Sequence, residues 1–156
     1  MSINRVKQYL KQWNRDGDVV ELTESTATVP LAAAALGVIP ARIAKSITLR
    51  RDDGGLLVVA AGDARVDNKL FKQRFGKTPR MLSAEDAHRL TGYMVGGICP
   101  FDLPSNFPVY LDRSLQRFES IFPACGSSNS MIQLTITELE IYSDSQGWVE
   151  VCSIAE

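Results

Sequence analysis

The sequence predicts an α+β fold in which a mixed sheet is flanked by helices. Three observations carry this: apolar residues recur at helical spacing in several capped segments, residues 46–61 read as an apolar hairpin, and strand and helix patterns follow one another irregularly. A doubly wound parallel sheet needs strands and helices in alternation, and that order is missing. Neither a repeat nor a linker nor a low-complexity tract interrupts the chain. Its 156 residues suffice to enclose one core, so one domain over 1–156 is expected.

Each element follows from local pattern. Ile3, Val6, Leu10 and Trp13 recur at helical spacing behind Ser2 and before Gly17, which predicts an amphipathic first helix that packs on the core. Val19 to Leu22 is a short strand candidate. Pro30 suits a first helical turn and Gly37 a C-terminal cap, so a second helix is expected around Ala32–Ala35. Ser46–Arg50 and Leu56–Ala61 are strands joined by the turn Arg51-Asp52-Asp53-Gly54-Gly55. Asp67 to Phe75, with Gly76 behind, predicts a helix. Ser83-Ala84-Glu85-Asp86 resembles a capping box opening another, which ends near Gly92. Then come a Gly/Pro-rich segment at 96–108, a strand at Val109–Leu111, a polar loop Gly126–Ser130 and an alternating strand Met131–Thr135. Thr137-Glu138-Leu139-Glu140 gives a second capping-box pattern, with a short helix following it.

Composition excludes several classes. With 45% apolar and 22% charged residues the chain is neither disordered nor fibrous. No apolar run reaches the roughly 18–20 residues of a membrane helix, and the first residues lack the apolar stretch of a secretion signal, so a cytoplasmic location is expected. Cys99, Cys125 and Cys152 form an odd set without metal-ligand spacing and predict free thiols rather than a disulfide framework or a zinc site. A net charge of −1 gives no overall attraction to nucleic acid. Locally, residues 65–80 carry six basic side chains against Asp67 alone, whereas residues 138–156 carry five acids and no base. The basic run reads equally as a solvated helix surface or as a phosphate-facing patch.

Standard catalytic signatures are missing: there is no nucleophile elbow, Walker loop or HExxH, and the one histidine, His88, falls inside a predicted helix, where a structural role is expected. The unusual stretch is Thr91-Gly92-Tyr93-Met94-Val95-Gly96-Gly97-Ile98-Cys99-Pro100-Phe101. Adjacent glycines followed by Pro100 make a side-chain-poor loop whose N–H groups a ligand can approach closely. Such a loop is either an oxyanion hole or an ordinary turn.

Six segments in register decide between these. Ala35-Leu36-Gly37, Ile43-Ala44-Lys45-Ser46, Ala61-Gly62-Asp63, Thr91-Gly92-Tyr93 with Gly96 to Phe101, Tyr110-Leu111-Asp112 and Ala124-Cys125-Gly126 together resemble the YbaK/EbsC-type aminoacyl-tRNA deacylases and the editing domain of prolyl-tRNA synthetases. The resemblance covers nearly the whole chain. It implies a barrel-like mixed sheet flanked by helices, a pocket for the aminoacylated 3′ end of tRNA, and hydrolysis of amino acids wrongly esterified there. An aminoacyl-tRNA synthetase is a further expected partner, and no cofactor or metal is implied. Lys45 matches the lysine that serves the tRNA 3′ end; on residue type alone it could also complement a helix C-terminus. Gly96 to Pro100 match the family's Gly-x-x-x-Pro loop. This gives Gly96, Gly97 and Ile98 catalytic roles beside Lys45 and places Cys99 and Pro100 against substrate. Gly126, Ser127 and Ser128 match a second loop, where amides or hydroxyls would hold the substrate amino group, and Thr28 stands where one branch has an aromatic.

The chemistry implied is attack of water on the ester carbonyl, with loop amides stabilising the oxyanion and no protein nucleophile. In the cysteinyl branch an acidic residue follows the second loop, whereas Met131 stands there in this chain. A small uncharged amino acid such as Ala, Ser or Thr on a noncognate tRNA is therefore expected. Two rival readings remain at this stage. One makes Cys99 a nucleophile. The other is a non-catalytic module that binds an aminoacyl-tRNA end or a protein partner.

Overall fold

A computed structural model describes residues 2–154. In chain order the elements are α1 (Ser2–Leu10), β1 (Val20–Glu21), α2 (Val29–Leu36), β2 (Ile43–Arg51), β3 (Gly54–Ala61), β4 (Ala64–Val66), α3 (Asn68–Phe75), α4 (Ala84–Thr91), β5 (Val109–Asp112), β6 (Ser120–Pro123), β7 (Ser130–Met131), β8 (Leu134–Thr135), α5 (Ile136–Tyr142), β9 (Trp148–Val149) and β10 (Cys152–Ile154). Short 3-10 turns fill several of the joints.

The predicted hairpin is the centre of the molecule. β2 and β3 pair antiparallel from Ala44–Ala61 to Arg51–Gly54, so the turn tightens to Asp52-Asp53, with Asp52 in the left-handed region at φ +50°. Around it the six-stranded sheet runs β8-β6-β2-β3-β5-β9. The β2–β6, β3–β5 and β5–β9 pairs are parallel and the β6–β8 pair is antiparallel. Two small ribbons, β1–β7 and β4–β10, complete a curled, half-barrel arrangement flanked by the five helices. The mixed, barrel-like α+β architecture expected from the sequence is thus observed.

Burial explains the pattern. Leu56 to Ala61 on β3 are all buried, because both faces of this central strand are covered, and a run without alternation is what such a strand requires. From α1, Val6 and Leu10 enter the same core. Tyr9, Trp13 and Tyr142 pack their rings behind them, with Trp13 stacked on Tyr142 at 4.4 Å.

The helix ends follow their local chemistry. Thr28, Asp67 and Ser83 cap α2, α3 and α4 by accepting backbone N–H groups, and Gly37, Gly76 and Gly92 close the same helices in the left-handed region. Two expectations shift. The capping box of α5 is formed by Thr135 and Glu138, two residues before the predicted Thr137–Glu140 pattern, because Glu138 reaches back to the Thr135 N–H at 2.9 Å. Met131–Thr135 is two strands rather than one. Ser130–Met131 pairs with β1 and Leu134–Thr135 with β6, so the chain changes partner in between.

Candidate active site

β2 carries the site because one of its edges is left open. Along one side it is paired throughout with β3, while on the other side only Ile43 and Ala44 meet β6. Further along that side the chain at 80–82 takes over: Arg50 N–H donates to the Arg80 carbonyl at 2.8 Å and Leu82 N–H to the Thr48 carbonyl at 3.1 Å. Residues 45–47 lie between these two partners. There a cavity of about 400 Å³ opens, lined by residues 43–48 of β2, by 26–29 ahead of and entering α2, by Met81, Leu82, Ala84 and Ala87, by Val95, Gly96 and Ile98, and by Ala124 and Met131. Its size falls in the usual range for small-molecule sites.

Among the described residues, Lys45 is the single charged side chain in this lining. It is half-buried and makes no hydrogen bond or ion pair among the described residues. Burial pushes its ammonium below the ordinary lysine range; Arg65 adds to this, while Cys152 and Asp63 oppose it. Asp63 itself is committed to Arg117, with contacts at 2.5 and 3.0 Å, and that partner holds its carboxyl below the usual carboxylate range. A partly desolvated lysine with no counter-ion among the described residues is a cation placed for an anionic ligand. It sits within a strand and donates to no helix C-terminal carbonyl among the described residues.

Three loops meet at the cavity. Thr26 N–H donates to the Ser128 carbonyl at 2.6 Å and Leu22 N–H to the Asn129 carbonyl at 2.8 Å, which ties residues 22–28 to the 126–129 loop. The glycine loop wedges against both. A Cβ on Gly96 would stand 3.1 Å from the Ala27 Cβ, and one on Gly97 would stand 2.7 Å from the Gly126–Ser127 peptide. Gly97 is therefore required by a backbone-to-backbone approach, and Gly96 by its φ of +95° as well.

The accounting of N–H groups separates residues that the sequence placed together. Gly97 N–H donates to the Met94 carbonyl at 3.0 Å and is spent. The N–H groups of Gly96 and Ile98 have no acceptor among the described residues, and both residues line the cavity. Thr28 also lines it, but its hydroxyl oxygen accepts the Leu31 N–H as the cap of α2. Cys99 and Pro100, expected against substrate, are buried beneath the loop and fall outside the lining. Burial pushes the Cys99 thiol up to about 12, so it does not supply the thiolate that nucleophilic attack would need. Gly126, Ser127 and Ser128 are brought to the back of the glycine loop rather than into the lining. The Ser127 hydroxyl is engaged with Asn129 Oδ1 at 2.9 Å and with the Ser130 hydroxyl at 2.6 Å. His88 is exposed on α4, outside the lining.

Sequence reasoning missed Thr26. It lines the cavity, is 5% exposed, and its hydroxyl has no hydrogen-bond partner among the described residues. Nothing in the local pattern distinguishes it from Thr23 or Thr28. The Met81–Ala87 wall was equally invisible, because it depends on 80–82 pairing with β2.

Known proteins share this architecture. The aminoacyl-tRNA editing domain model matches residues 23–141. YwhH of Bacillus subtilis (strain 168) is 50% identical over 153 residues, 97% of this chain and 98% of that protein. The "Putative Cys-tRNA(Pro)/Cys-tRNA(Cys) deacylase EbsC" of Enterococcus faecalis (strain ATCC 700802 / V583) is 30% identical over 114 residues, 72% of this chain and 70% of that protein. A solved structure, described as a "putative trans-editing enzyme for prolyl tRNA synthetase", superposes with a TM-score of 0.86 at 28% identity over 97% of each chain. With an open-edged β2, an unpaired lysine and a glycine loop in the matched region, the chain belongs to the aminoacyl-tRNA editing family, the YbaK/EbsC-type deacylases.

Proposed function

We propose that the chain edits in trans, hydrolysing the ester that joins a small uncharged amino acid to the 3′ end of a noncognate tRNA. The observation that carries this reading is one lining that, among the described residues, combines an unpaired lysine with two residues whose backbone N–H groups are unspent and holds no carboxylate. Lys45 holds a phosphate of the tRNA end or the developing negative oxygen as a point charge. Gly96 and Ile98 N–H donate to the carbonyl oxygen as it becomes an oxyanion. One such donor contributes about 2.7–4 kcal/mol to the transition state, so two of them with orientation suffice for an already activated ester.

The bookkeeping needs no protein nucleophile. Water adds to the ester carbonyl carbon, the tetrahedral intermediate collapses, and the bond to the ribose oxygen breaks. That oxygen takes up a proton and the amino acid leaves as its carboxylate. The neighbouring ribose hydroxyl orients the water, so a substrate ending in 2′- or 3′-deoxyadenosine should react more slowly.

Size and charge of the cavity support the substrate class. Ile43, Ile47, Ala124 and Met131 are apolar, and Met131 is 2% exposed. A charged side chain entering there would lose its hydration without a partner, apart from an acid that could meet Lys45. Release of labelled Ala, Ser, Thr, Pro and Cys from mischarged tRNAs, compared between the wild type and Lys45→Ala, tests the reading. Lys45-dependent turnover of one or two small substrates is expected. Inertness across the panel would leave a binding module, and a preference for Cys would overturn the role given to Met131. Recruitment by a synthetase is a further proposal, tested by co-purification with prolyl-tRNA synthetase.

A further inference from the structure

We infer that Arg5, on α1, is a positioning residue that clamps the two ends of the glycine loop and thereby holds Gly96 and Ile98 N–H in donor geometry. The inference rests on the proposed role of those amides. It concerns a helix that lies outside the matched editing-domain region, since α1 ends at Leu10 and the match begins at residue 23.

The Arg5 guanidinium touches both ends of the loop. On the entering side its Nη1 donates to the Thr91 carbonyl at 3.0 Å, at the end of α4. On the leaving side its Nε donates to Asp102 Oδ2 at 3.0 Å, and its Nη2 to the Asp102 carbonyl. Between them its plane lies over the Tyr93 ring, 4.3 Å from the centroid. Tyr93 is fully buried, and its hydroxyl donates to the Phe101 carbonyl at 2.5 Å. The loop from 92 to 101 is thus closed twice at its base, once by a tyrosine inside the core and once by an arginine from a distant helix.

Two backbone features fit this clamp. Gly92 stands so close that a Cβ there would lie 2.5 Å from Arg5 Nη1, so the guanidinium occupies the space a side chain would take. Asp102 is held in the left-handed region at φ +54°, which an aspartate tolerates but does not prefer. A planar fork that satisfies two carbonyls and a carboxylate together is something a lysine's point charge does not reproduce. α1 also backs the second loop, because a Cβ on Gly126 would meet the Ser2 carbonyl oxygen at 2.8 Å and Val6 at 3.0 Å. A helix read from the sequence as packing therefore supports both loops from behind.

Arg5→Met, Arg5→Lys and Asp102→Asn, in the full chain, test the clamp. Amide hydrogen exchange across 92–101 is measured with steady-state deacylation and the thermal midpoint. Arg5→Met should raise exchange at the hydrogen-bonded amides of Gly92, Tyr93 and Gly97 by at least about 10-fold, leave that of β2 and β3 unchanged, and lower kcat by about 10-fold or more with KM within about twofold. Arg5→Lys should fall between Met and wild type, and Asp102→Asn should move both readouts in the same direction. Unchanged exchange at 92–101 in a folded Arg5→Met variant would overturn the clamp. Faster exchange with kcat intact would instead show that the loop is held by Arg5 but that its amides do not serve the chemistry, which overturns the catalytic part together with the proposed mechanism. A loss of kcat that merely tracks the fraction unfolded, with uniform exchange, would reduce Arg5 to a general stabiliser and overturn the proposal.

Discussion

The glycine loop at 94–98 and the serine loop at 126–130 are both turns built on left-handed glycines, yet only the first lines the cavity. In the first, Gly96 and Ile98 line the cavity and their N–H groups have no acceptors among the described residues. The second also leaves the N–H groups of 126–129 without acceptors among the described residues, but it stands behind the first, outside the lining, with its Ser127 hydroxyl and its Ser128 and Asn129 carbonyls spent internally or on residues 22–28. One loop is a donor surface and the other is its support. The difference teaches that unsatisfied backbone groups make a site only where the fold brings them to a cavity.

Substitutions at the contact between the loops should break this division most severely. Gly97→Ala drives a methyl into the Gly126–Ser127 peptide, and neither backbone can yield cheaply. A loss of about 1–3 kcal/mol of stability is expected, with deacylation impaired beyond the loss of folded protein. Thermal unfolding paired with kcat measures both. Ser127→Ala removes two hydroxyl contacts inside the supporting loop and should cost about 1 kcal/mol, read as a lowered midpoint with KM nearly unchanged. Ser128→Ala lies on the exposed tip, where its carbonyl rather than its hydroxyl makes the contacts, so stability within about 0.5 kcal/mol of wild type and unimpaired turnover are expected. A strong kinetic effect at Ser128 would move the donor surface to the second loop.

Lys45 provides a further contrast through pH. Its folded-state value is depressed, so between that value and the ordinary 10.5 the unfolded chain binds more protons and stability rises with pH. The cost of burying the ammonium is fully present below the folded value. Lys45→Met should therefore be at least as stable as wild type at neutral pH while losing activity, the signature of a residue kept for function. In the wild type, kcat/KM should decline on the alkaline side as pH rises through a value below 10.5, and a profile flat to that value would contradict a cationic role.

Much of the scaffold was legible because local chemistry decided it. The Asp67 and Ser83 caps, the left-handed glycines at 37, 76 and 92, and the β2–β3 hairpin all follow from short-range patterns. β4, β6, β9 and β10 were missed since strands of two to four residues hold too few positions for alternation, and β6 also ends in Pro123. The apparent strand 131–135 failed for a related reason: its alternation is real, but two different partners share it. At the site, the glycine loop stood out by its own residues, while its role and Lys45 came through family resemblance. That Gly97 has a spent N–H, and that Thr26 has an idle hydroxyl, depends on turn geometry and on contacts across a hundred residues.

Replacing the backbone N–H of Ile98 by an ester oxygen tests the central claim most directly. Incorporation of the α-hydroxy analogue of isoleucine at position 98 deletes one donor and leaves every side chain in place. Single-turnover deacylation of the preferred mischarged tRNA should slow by about 10²–10³-fold, with substrate binding preserved. A rate equal to that of the all-amide protein would contradict the account, since the glycine loop would then shape the cavity without taking part in the chemistry.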